Sequence, residues 1–507
     1  MRSLSKPAVL AILSVALAVI SLDNTIVNVA LPTLQEQLRA TTSDLQWIID
    51  AYSVLFAGTL LLAGSLGDRF GRRRILVIGM VVFLIGSAGA GLASTTNMLI
   101  ACRAVMGVGA AFVMPSTLSI LARTFPERRE RAMAIGVWSA VAGVGVALGP
   151  VVGGLLLQHL SWHAIFWVNP PIAVAVVVAA VIWVPESSDP ARPRLDVRGA
   201  ILSSAGLIAL VVTVIELPEN GIGMRTVLLG GVAVLLLLGF VLWERRAPTP
   251  LLPLSFFREP LFVVSIVLVG LVYFALMGTM FFVPQFFQLV QAMSPLASGL
   301  AILPGAGGML VASLFSARIA ERIGNRTTIL LGLGLVAVGL AIFSFIGVGT
   351  PYVLVGVNLA VVGVGLGFTL PQVTNGVLAA VPLEKAGTGS AVNDAVTELG
   401  GALGVAVLGA MLSSSYRASI DQAIEAAGDR IAVVPPSVVD AARESLASAS
   451  MAVGGLPEGV TAAIVSATGR AFVSGMGWAL VLAAVMAALG AALAWWRFPR
   501  RVERVAE

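Results

Sequence analysis

Long apolar runs separated by short polar stretches dominate the chain. Fourteen of these runs are apolar enough to cross a bilayer as helices, because a hydrocarbon core of about 30 Å needs roughly 20 helical residues. We number them spans 1–14, and they cover 8–31, 46–66, 75–93, 98–121, 132–157, 164–184, 197–215, 226–243, 261–284, 295–316, 328–346, 352–374, 388–412 and 472–496. The pattern predicts an all-α integral membrane protein.

Composition supports this class and excludes several others. Of the 507 residues, 58% are hydrophobic and 11% are charged, which is too little charge to cover a soluble fold or to keep a chain disordered. The net charge of +5 comes from short basic clusters between spans, so we predict no nucleic-acid partner. Cys102 is the single cysteine, which excludes an intrachain disulfide, and two histidines are too few for a His-rich metal site.

Basic residues indicate which way the chain crosses the membrane. With the N-terminus placed in the cytoplasm, 24 of the 31 Lys and Arg residues fall on the cytoplasmic side and six on the outer side. Cytoplasmic loops of membrane proteins carry an excess of Lys and Arg. We therefore predict a multi-pass protein of the cell (inner) membrane with both termini in the cytoplasm.

An internal repeat divides the chain into related halves. Residues 64–73 (GSLGDRFGRR) follow span 2, and residues 317–326 (ARIAERIGNR) follow span 10, with small, acidic, basic and glycine positions in register at an offset of 253. Related halves are typical of transporters, in which the substrate site lies between them. The repeat predicts a first bundle in 1–190, an inserted pair of spans in 191–258, and a second bundle in 259–507 with a long outer loop over 413–471.

Four motifs resemble the major facilitator superfamily, and in particular its fourteen-span drug:proton antiporter branch. They are LDNTIVNVALP at 22–32, GSLGDRFGRRR at 64–74, RAVMGVG at 103–109 and GVALGPVVGG at 145–154. The resemblance implies a major facilitator fold with two six-helix bundles and two inserted transmembrane helices. It also implies a multidrug efflux transporter: a proton-coupled antiporter that exports amphipathic, often cationic drugs or dyes from the cytoplasm or inner leaflet by alternating access.

Charged side chains inside the spans are the strongest candidates for function, because each is costly to place in lipid. Asp23 in span 1 and Arg103 in span 4 lie at similar depth, about 12 Å and about 8 Å from the outer end at 1.5 Å per residue. They can pair if the two spans are neighbours, which the family fold implies. Two interpretations stay open: a structural ion pair, or a coupling carboxylate whose proton affinity Arg103 helps to set.

Asp394 and Glu398 lie four residues apart in span 13 and therefore share a helix face. Two carboxyl groups close together in a low dielectric favour the binding of a proton, which a cationic substrate could displace. We expect both residues to take part in proton coupling. The alternative is a first helical turn that is exposed to the cytoplasmic vestibule, which suits Asp394 better than Glu398.

Aromatic faces attract organic cations, and amide or acidic groups can orient them. Aromatic and amide residues are frequent in span 9, and residues of spans 1, 2, 5 and 13 could face the same cavity. The candidate substrate-binding residues are Asn28, Asp50, Tyr52, Phe56, Trp138, Phe282, Gln285, Phe286 and Asn393. For each aromatic residue the alternative is a packing or lipid-facing side chain, and for Asp50 it is a residue at the outer mouth.

The turn between spans 2 and 3 is a candidate gate. The resemblance implies that Asp68 latches the inner face by pairing with the opposite half, in a turn that also holds Arg69, Arg72 and Arg73. The alternative is an inside-positive topology signal without a gating role. Glu321 and Arg322 would be a weaker twin of this gate in the second half.

A glycine stripe in span 5 is the second candidate gate. Gly145, Gly149 and Gly153 recur every four residues around Pro150, which indicates close helix packing. Such packing with a proline kink could form a sliding surface. In the family this pattern accompanies antiporters, and it therefore implies export.

Other functions stay open on the sequence. A dedicated exporter of one antibiotic or metabolite is the alternative within export, whereas an uptake carrier fits the glycine–proline pattern less well. A channel or a membrane structural protein fits less well with carboxylates at two depths in matched halves. Because the sequence contains no Walker A loop, we expect a proton gradient to drive transport, with no cofactor, no enzyme activity and no obligatory protein partner. The expected partners are drug-like molecules, protons and membrane lipids.

Overall fold

Helices account for the ordered secondary structure of this chain. The computed structural model describes residues 6–188, 196–220, 223–248, 250–252, 254–381, 386–427, 434–454 and 456–502, and no strand occurs in these ranges. The first nine helices are α1 (Lys6–Leu38), α2 (Thr42–Phe70), α3 (Arg72–Ala90), α4 (Thr96–Thr124), α5 (Arg128–His159), α6 (Ala164–Trp167), α7 (Asn169–Trp183), α8 (Val197–Asn220) and α9 (Met224–Glu244).

The second half of the chain continues the helical pattern. A 3₁₀ turn (Leu254–Arg258) precedes α10 (Pro260–Gln285), and a π-helical turn (Phe286–Val290) follows it. The remaining helices are α11 (Pro295–Ala301), α12 (Leu303–Ile323), α13 (Asn325–Phe343), α14 (Tyr352–Ala379), α15 (Ala386–Ala427), α16 (Pro436–Glu444), α17 (Leu446–Ala452) and α18 (Glu458–Arg497).

The predicted all-α membrane architecture is confirmed. Within the described ranges, 13 helices are long and apolar enough to cross a membrane, and the number is 14 when the two parts of α2, bent by 49°, count as one span. Helices α1–α5 and α7 pack against one another, and α10, α12–α15 and α18 form a second packed group. Contacts of α2 with α15 and of α5 with α11 join the two groups.

The inserted helices α8 and α9 pack against each other, and α8 also lies along the seam between α2 and α15. The Ser204 hydroxyl of α8 donates a hydrogen bond to the carbonyl oxygen of Gly58 in α2. A small buried apolar cluster joins the same three helices through Val54, Val211, Ile215, Ala402 and Ala406. The inserted pair therefore covers one side of the junction between the two groups.

The segment 413–471, which we expected to be a loop, is largely helical. Helix α15 continues to Ala427 and α18 begins at Glu458, with α16 and α17 between them. Hydropathy reports only where the apolar span ends, and a helix can continue beyond that point. No Gly or Pro interrupts 413–427, whereas Pro435 and Pro457 stand immediately before α16 and α18.

Two faces of the molecule are named here by the segments they hold. The basic face holds the start of α1 and the turn 68–73, and the loop face holds α16 and α17. On the loop face, Tyr416 of α15 donates a hydrogen bond of 2.8 Å to the carbonyl oxygen of Ala442, which holds α16 against the bundle. Helix α17 contacts α1 of the other group, so this segment reaches across the junction.

Candidate functional site

The ion pair of Asp23 and Arg103 is formed at the centre of the first group. Arg103 Nη1 lies 2.7 Å from Asp23 Oδ2, and both side chains are fully buried. Arg103 also donates from Nε to the carbonyl oxygen of Ile48 at 2.9 Å, which fixes its guanidinium between α4 and α2. The pairing expected from their similar depths is therefore present, and its role stays a prediction.

A third residue, which was not among the predicted site residues, completes this pair. Asn169 Nδ2 lies 2.7 Å from Asp23 Oδ1 and 3.1 Å from Ser87 Oγ. The Ser87 hydroxyl in turn donates to the carbonyl oxygen of Phe166 at 2.8 Å. The available signal was an amide inside an apolar span, next to the prolines that start α7.

Helix α2 lies between this ion pair and the second group. The Arg103 guanidinium lies 4.4 Å from the centre of the Tyr52 ring, and Tyr52 stacks with Phe56 at 6.0 Å between ring centres. Ser53, which follows Tyr52 in α2, places its hydroxyl beside the Glu398 carboxyl group of α15. Arg103 and Glu398 are also close enough to interact electrostatically. The structure therefore brings three candidates from different spans together.

Asp394 and Glu398 are half-buried on one face of α15, as their spacing predicts. Asn393 donates from Nδ2 to Asp394 Oδ1 at 3.2 Å. Tyr273 of α10 is half-buried and interacts electrostatically with both carboxyl groups. Partial exposure of two carboxyl groups within a membrane-spanning helix indicates that water can reach this part of the molecule.

Asp50 is completely buried in this state, and its two predicted roles, at the substrate site or at the outer mouth, both stay predictions. Neither of its carboxyl oxygens has a hydrogen-bond partner among the described residues. One turn towards the loop face, Gln46 Nε2 donates to the carbonyl oxygens of Val405 and Ala406 at 3.3 and 3.2 Å. That contact between α2 and α15 closes the mouth above Asp50.

The other candidate substrate-binding residues are packed into the interior. Gln285 donates to the carbonyl oxygen of Phe281 in its own helix at 2.7 Å, and it also lines a small pocket on the loop face beside Tyr416. Exposure does not exceed 9% for any of Asn28, Tyr52, Phe56, Trp138, Phe282, Gln285, Phe286 and Asn393. Tyr273 and Met277 lie near Glu398 and are half-buried, so they are more accessible than these candidates.

Several contacts close the loop face between the two groups. Gln288 Nε2 donates to the carbonyl oxygen of Val29 at 2.8 Å, in addition to the bonds of Gln46. A Cβ at Gly299 of α11 would overlap the carbonyl oxygen of Pro150, which shows how closely α11 and α5 approach each other. These contacts all lie towards the loop face, so the structure represents a state closed on that side.

The glycine stripe of α5 packs mainly against α1. Added Cβ atoms would lie 2.8 Å from the Ala18 carbonyl oxygen at Gly145 and 3.0 Å from that of Ile26 at Gly153, and would overlap Thr25 Oγ1 at Gly149. This is the close packing that the spacing predicts. Its sliding role stays a prediction.

The turn at the basic face is braced within its own group. Asp68 Oδ1 lies 2.7 Å from Arg72 Nη2, whereas Arg69 lies over Phe70. Glu186, which follows span 6, accepts from the Arg73 backbone N–H at 3.1 Å and lies 3.6 Å from its guanidinium. Among the described residues Asp68 has no partner in the second group, and the latch between halves stays a prediction. Glu186 was not among the predicted gate residues. The sequence does contain a signal for it, because a Pro-Glu pair directly follows span 6 on the side that holds most basic residues.

The repeated turn has the same backbone in the second group. Gly71 and Gly324, which correspond in the repeat, have φ angles of +113° and +90°, a region that favours glycine. Arg326 Nε donates to the carbonyl oxygen of Phe498 at 2.5 Å. The predicted twin residues Glu321 and Arg322 are exposed.

No group of three or more His, Cys, Asp or Glu side chains that could hold a metal occurs in the part of the chain that the structure covers. Carboxyl groups, one arginine, an amide and aromatic rings therefore supply the chemistry of the site described here. Such groups can bind protons and organic cations.

Comparison with known proteins extends these observations. The family model of the Major Facilitator Superfamily matches residues 13–405. The multidrug efflux pump LfrA of Mycolicibacterium smegmatis is 34% identical over 96% of this chain and 94% of its own length. The tetracenomycin C resistance and export protein of Streptomyces glaucescens is 34% identical over 98% and 92%, and the methylenomycin A resistance protein of Streptomyces coelicolor is 37% identical over 78% and 83%.

Solved structures show the same fold. A bacterial homologue of the human lysosomal transporter Spinster, in an inward-facing and occupied conformation, superposes with a TM-score of 0.63 over 98% of both chains. The human organic anion transporter MFSD10 gives a TM-score of 0.57 over 97% of this chain and 100% of its own. Sequence identities of 16% and 14% limit these likenesses to the fold.

Proposed function

Because the chain belongs to the Major Facilitator Superfamily, we propose that it is a proton-coupled antiporter that exports amphipathic, often cationic drugs from the cytoplasm or inner leaflet. Relatives that are efflux pumps and antibiotic resistance proteins support drug export. The proposal of proton coupling rests on one observation. The half-buried Glu398 of the second group lies within electrostatic reach of Arg103, which pairs with Asp23 in the first group.

Glu398 and Asp394 are the proton carriers that face water in this state. Both are half-buried on α15, and neither forms an ion pair with a basic residue among the described side chains. A carboxyl group in a low dielectric without a cation is stable mainly as the neutral acid. A cationic substrate that binds beside it therefore favours release of the proton, and this exchange is the chemical basis of antiport.

Asp50 is a further proton carrier in this proposal, in addition to its predicted role at the substrate site. Its two oxygens lack partners in the described chain, so an ionised Asp50 would be left buried without compensation. The contact between Gln46 and α15 covers it in the present state. Opening of the loop face would expose Asp50 to protons from the other side of the membrane.

Asp23 and Arg103 couple the two groups electrically. Their ion pair is complete in this state, with Asn169 on the second carboxylate oxygen. The Arg103 guanidinium lies over Tyr52, whose ring is within electrostatic reach of Glu398. Charges on neighbouring side chains interact strongly in a low dielectric. A change of charge at Glu398 therefore alters the stability of the pair across the junction.

Alternating access follows from the contacts that close one face. In this state the loop face is closed, and we assign the basic face to the cytoplasm because most Lys and Arg residues lie there. Drug enters from the basic face, and the glycine stripe of α5 allows the groups to tilt. When the basic face closes, Asp68 exchanges Arg72 for a partner in the second group, with Glu321 and Arg322 on the opposite turn.

Reconstituted proteoliposomes with an internal pH indicator test this proposal. Addition of a lipophilic cationic dye such as ethidium is expected to move protons opposite to the dye in the wild type. Glu398→Gln is expected to lose this dye-dependent proton movement. The matched control is Glu216→Gln, which removes an acid of α8 that is already paired with Arg225 at 2.8 Å. Absence of dye-dependent proton movement in the wild type, or a wild-type response from Glu398→Gln, contradicts the proposal.

A dedicated exporter of one antibiotic or metabolite is the second candidate. Relatives that confer resistance to tetracenomycin C or methylenomycin A favour it. Susceptibility of cells that express the chain, measured against a panel of dyes, quinolones and such antibiotics, separates the two functions. Protection against many unrelated compounds supports the multidrug exporter, and protection against one supports the dedicated exporter. In both cases we expect transport without catalysis.

A further inference from the structure

Two acidic side chains lie where the inserted helices end on the basic face, away from the site described above. Asp196 immediately precedes α8, and Glu244 is the last residue of α9. Their exposures are 6% and 4%, so both carboxyl groups are nine-tenths buried. Neither forms an ion pair with a Lys or Arg in the described part of the chain. Two buried acids without a cation require an explanation.

One oxygen of each carboxyl group is satisfied by N–H donors. Asp196 Oδ1 accepts from the backbone N–H of Gly199 at 2.9 Å and from Trp243 Nε1 at 2.7 Å. Glu244 Oε2 accepts from the backbone N–H of Leu252 at 3.0 Å. These donors belong to the start of α8, the end of α9, and the segment that leads into the second group. The two acids therefore join three parts of the chain.

The other two oxygens have no donor among the described residues, and both lie next to Gly199. Asp196 Oδ2 and Glu244 Oε1 have no hydrogen-bond partner among the described residues. A Cβ added to Gly199 would lie 2.5 Å from the first and 2.7 Å from the second, so both surround the same position. The two carboxyl groups are within hydrogen-bonding distance of each other. Two negative charges at this separation repel, whereas one proton between them makes a short O–H···O⁻ bond.

We propose that Asp196 and Glu244 bind a single proton between them, and that this acid–carboxylate pair fastens the inserted helices to the segment that enters the second group. The number of free oxygens favours a proton over a metal ion. Only one oxygen of each residue is free, whereas Ca²⁺ takes six to eight oxygen ligands and Mg²⁺ six. The site is separate from Glu398 and does not depend on the direction of transport.

Few other charges among the described residues act on the pair. Arg198 of α8 lies 5.1 Å from the centre of the Trp243 ring, and Arg245 and Arg246 are exposed at the end of α9. Asp196 is the one described charged group with an electrostatic effect on Glu244. From the other helices that pack on α8, Gly58 of α2 and the apolar cluster with α15 provide no charge. The stability of the Asp196–Glu244 pair therefore depends mainly on whether the pair holds its proton.

The pair makes the fold sensitive to pH at the basic face. At low pH the shared proton is present, and its contribution to stability is complete. As the pH rises the proton leaves, and the start of α8, the end of α9 and residues 250–252 are pushed apart. Because α8 lies along the seam between α2 and α15, the loosening extends towards the neighbourhood of Glu398.

Thermal unfolding of the purified full-length protein in lipid nanodiscs tests the proposal. The apparent Tm of the wild type is expected to fall by on the order of 2–4 °C between mildly acidic and mildly alkaline pH. In Glu244→Gln the amide donates to Asp196 Oδ2 at every pH, so this fall disappears. If Glu244→Gln does not fold, Asp196→Asn provides the same test, because it replaces the other carboxyl group of the pair. Glu216→Gln, on the same helix as Asp196, is expected to keep the wild-type fall.

Infrared difference spectra between the two pH values identify the group that titrates. The carbonyl stretch of a protonated carboxylic acid is expected to be present at acidic pH in the wild type and in Glu216→Gln. Both amide variants are expected to lose that component. An unchanged band together with an unchanged fall in Tm overturns the proposal. Protection of the wild type at alkaline pH by Mg²⁺, Ca²⁺ or Na⁺, absent from Glu244→Gln, overturns it as well, because a cation would then occupy the site.

Discussion

Asn169 Nδ2 lies 2.7 Å from Asp23 Oδ1, the carboxylate oxygen that Arg103 leaves free. The amide reaches this position because α7 starts anew at Asn169 after the short α6, with two prolines in its first turn. Asp23 thus has a donor on each oxygen, one charged and one neutral. In a membrane interior this arrangement stabilises an ionised carboxylate that would otherwise be costly.

Removal of this amide is expected to destabilise the protein. Asn169→Ala leaves Asp23 Oδ1 buried without a donor, which costs roughly 1–3 kcal/mol. The apparent Tm measured by thermal unfolding is expected to fall accordingly. Ser87→Ala is the matched control, because it removes the other acceptor of the amide and keeps the bond to Asp23. If Asn169→Ala is as stable as Ser87→Ala, the amide does not support the pair.

Some features of the site could be predicted because they depend on one helix or on the repeat. The depth of Asp23 and Arg103 predicts their pairing, and four-residue spacing places Asp394 and Glu398 on one face. The structure also shows that the two halves share a detail that was not predicted. Arg73 and Arg326, which correspond in the two halves, each donate to the carbonyl oxygen of the residue directly after the last helix of their own group, Val184 and Phe498.

Other features could not be predicted because they depend on which helices are neighbours and on the conformational state. Asn169 is one of several amides in apolar spans, and only the approach of α7 to α1 makes it a partner of Asp23. Phe282 and Phe286 are fully buried in this state, and no local pattern reports which state the protein adopts. Hydropathy likewise could not predict that α15 continues to Ala427, because the residues beyond 412 are polar but still favour a helix.

Close packing of α5 on α1 gives a second prediction. A methyl group at Gly149 would overlap Thr25 Oγ1 and lie 2.9 Å from the Leu22 carbonyl oxygen. Gly149→Ala is therefore expected to cost about 1–3 kcal/mol of stability and to reduce drug efflux from cells. Gly143→Ala on the same helix is the matched control, because nothing lies within 4 Å of its added Cβ. Equal stability and efflux for the two variants would show that this packing does not limit the transporter.

The side-chain bonds across the loop face give the third prediction. Gln46→Leu with Gln288→Leu removes hydrogen bonds from each group to backbone carbonyl oxygens of the other. Each of the three bonds contributes about 0.5–1.5 kcal/mol, so the ratio of closed to open states is expected to fall by at least roughly tenfold. The measurement is the labelling rate of a cysteine at the half-buried Asn24, in a Cys102→Ala background, by a membrane-impermeant thiol reagent added on the loop face.

A control variant shows whether faster labelling reflects opening of the loop face. Gln291 Nε2 donates to the carbonyl oxygen of Thr350 at 2.9 Å, and both residues belong to the second group. Gln291→Leu removes a similar bond without releasing one group from the other, so its labelling rate is expected to match the parent. A similar increase in both variants would mean that local loosening exposes Asn24. An increase confined to Gln46→Leu with Gln288→Leu would mean that these bonds hold the two groups together on the loop face.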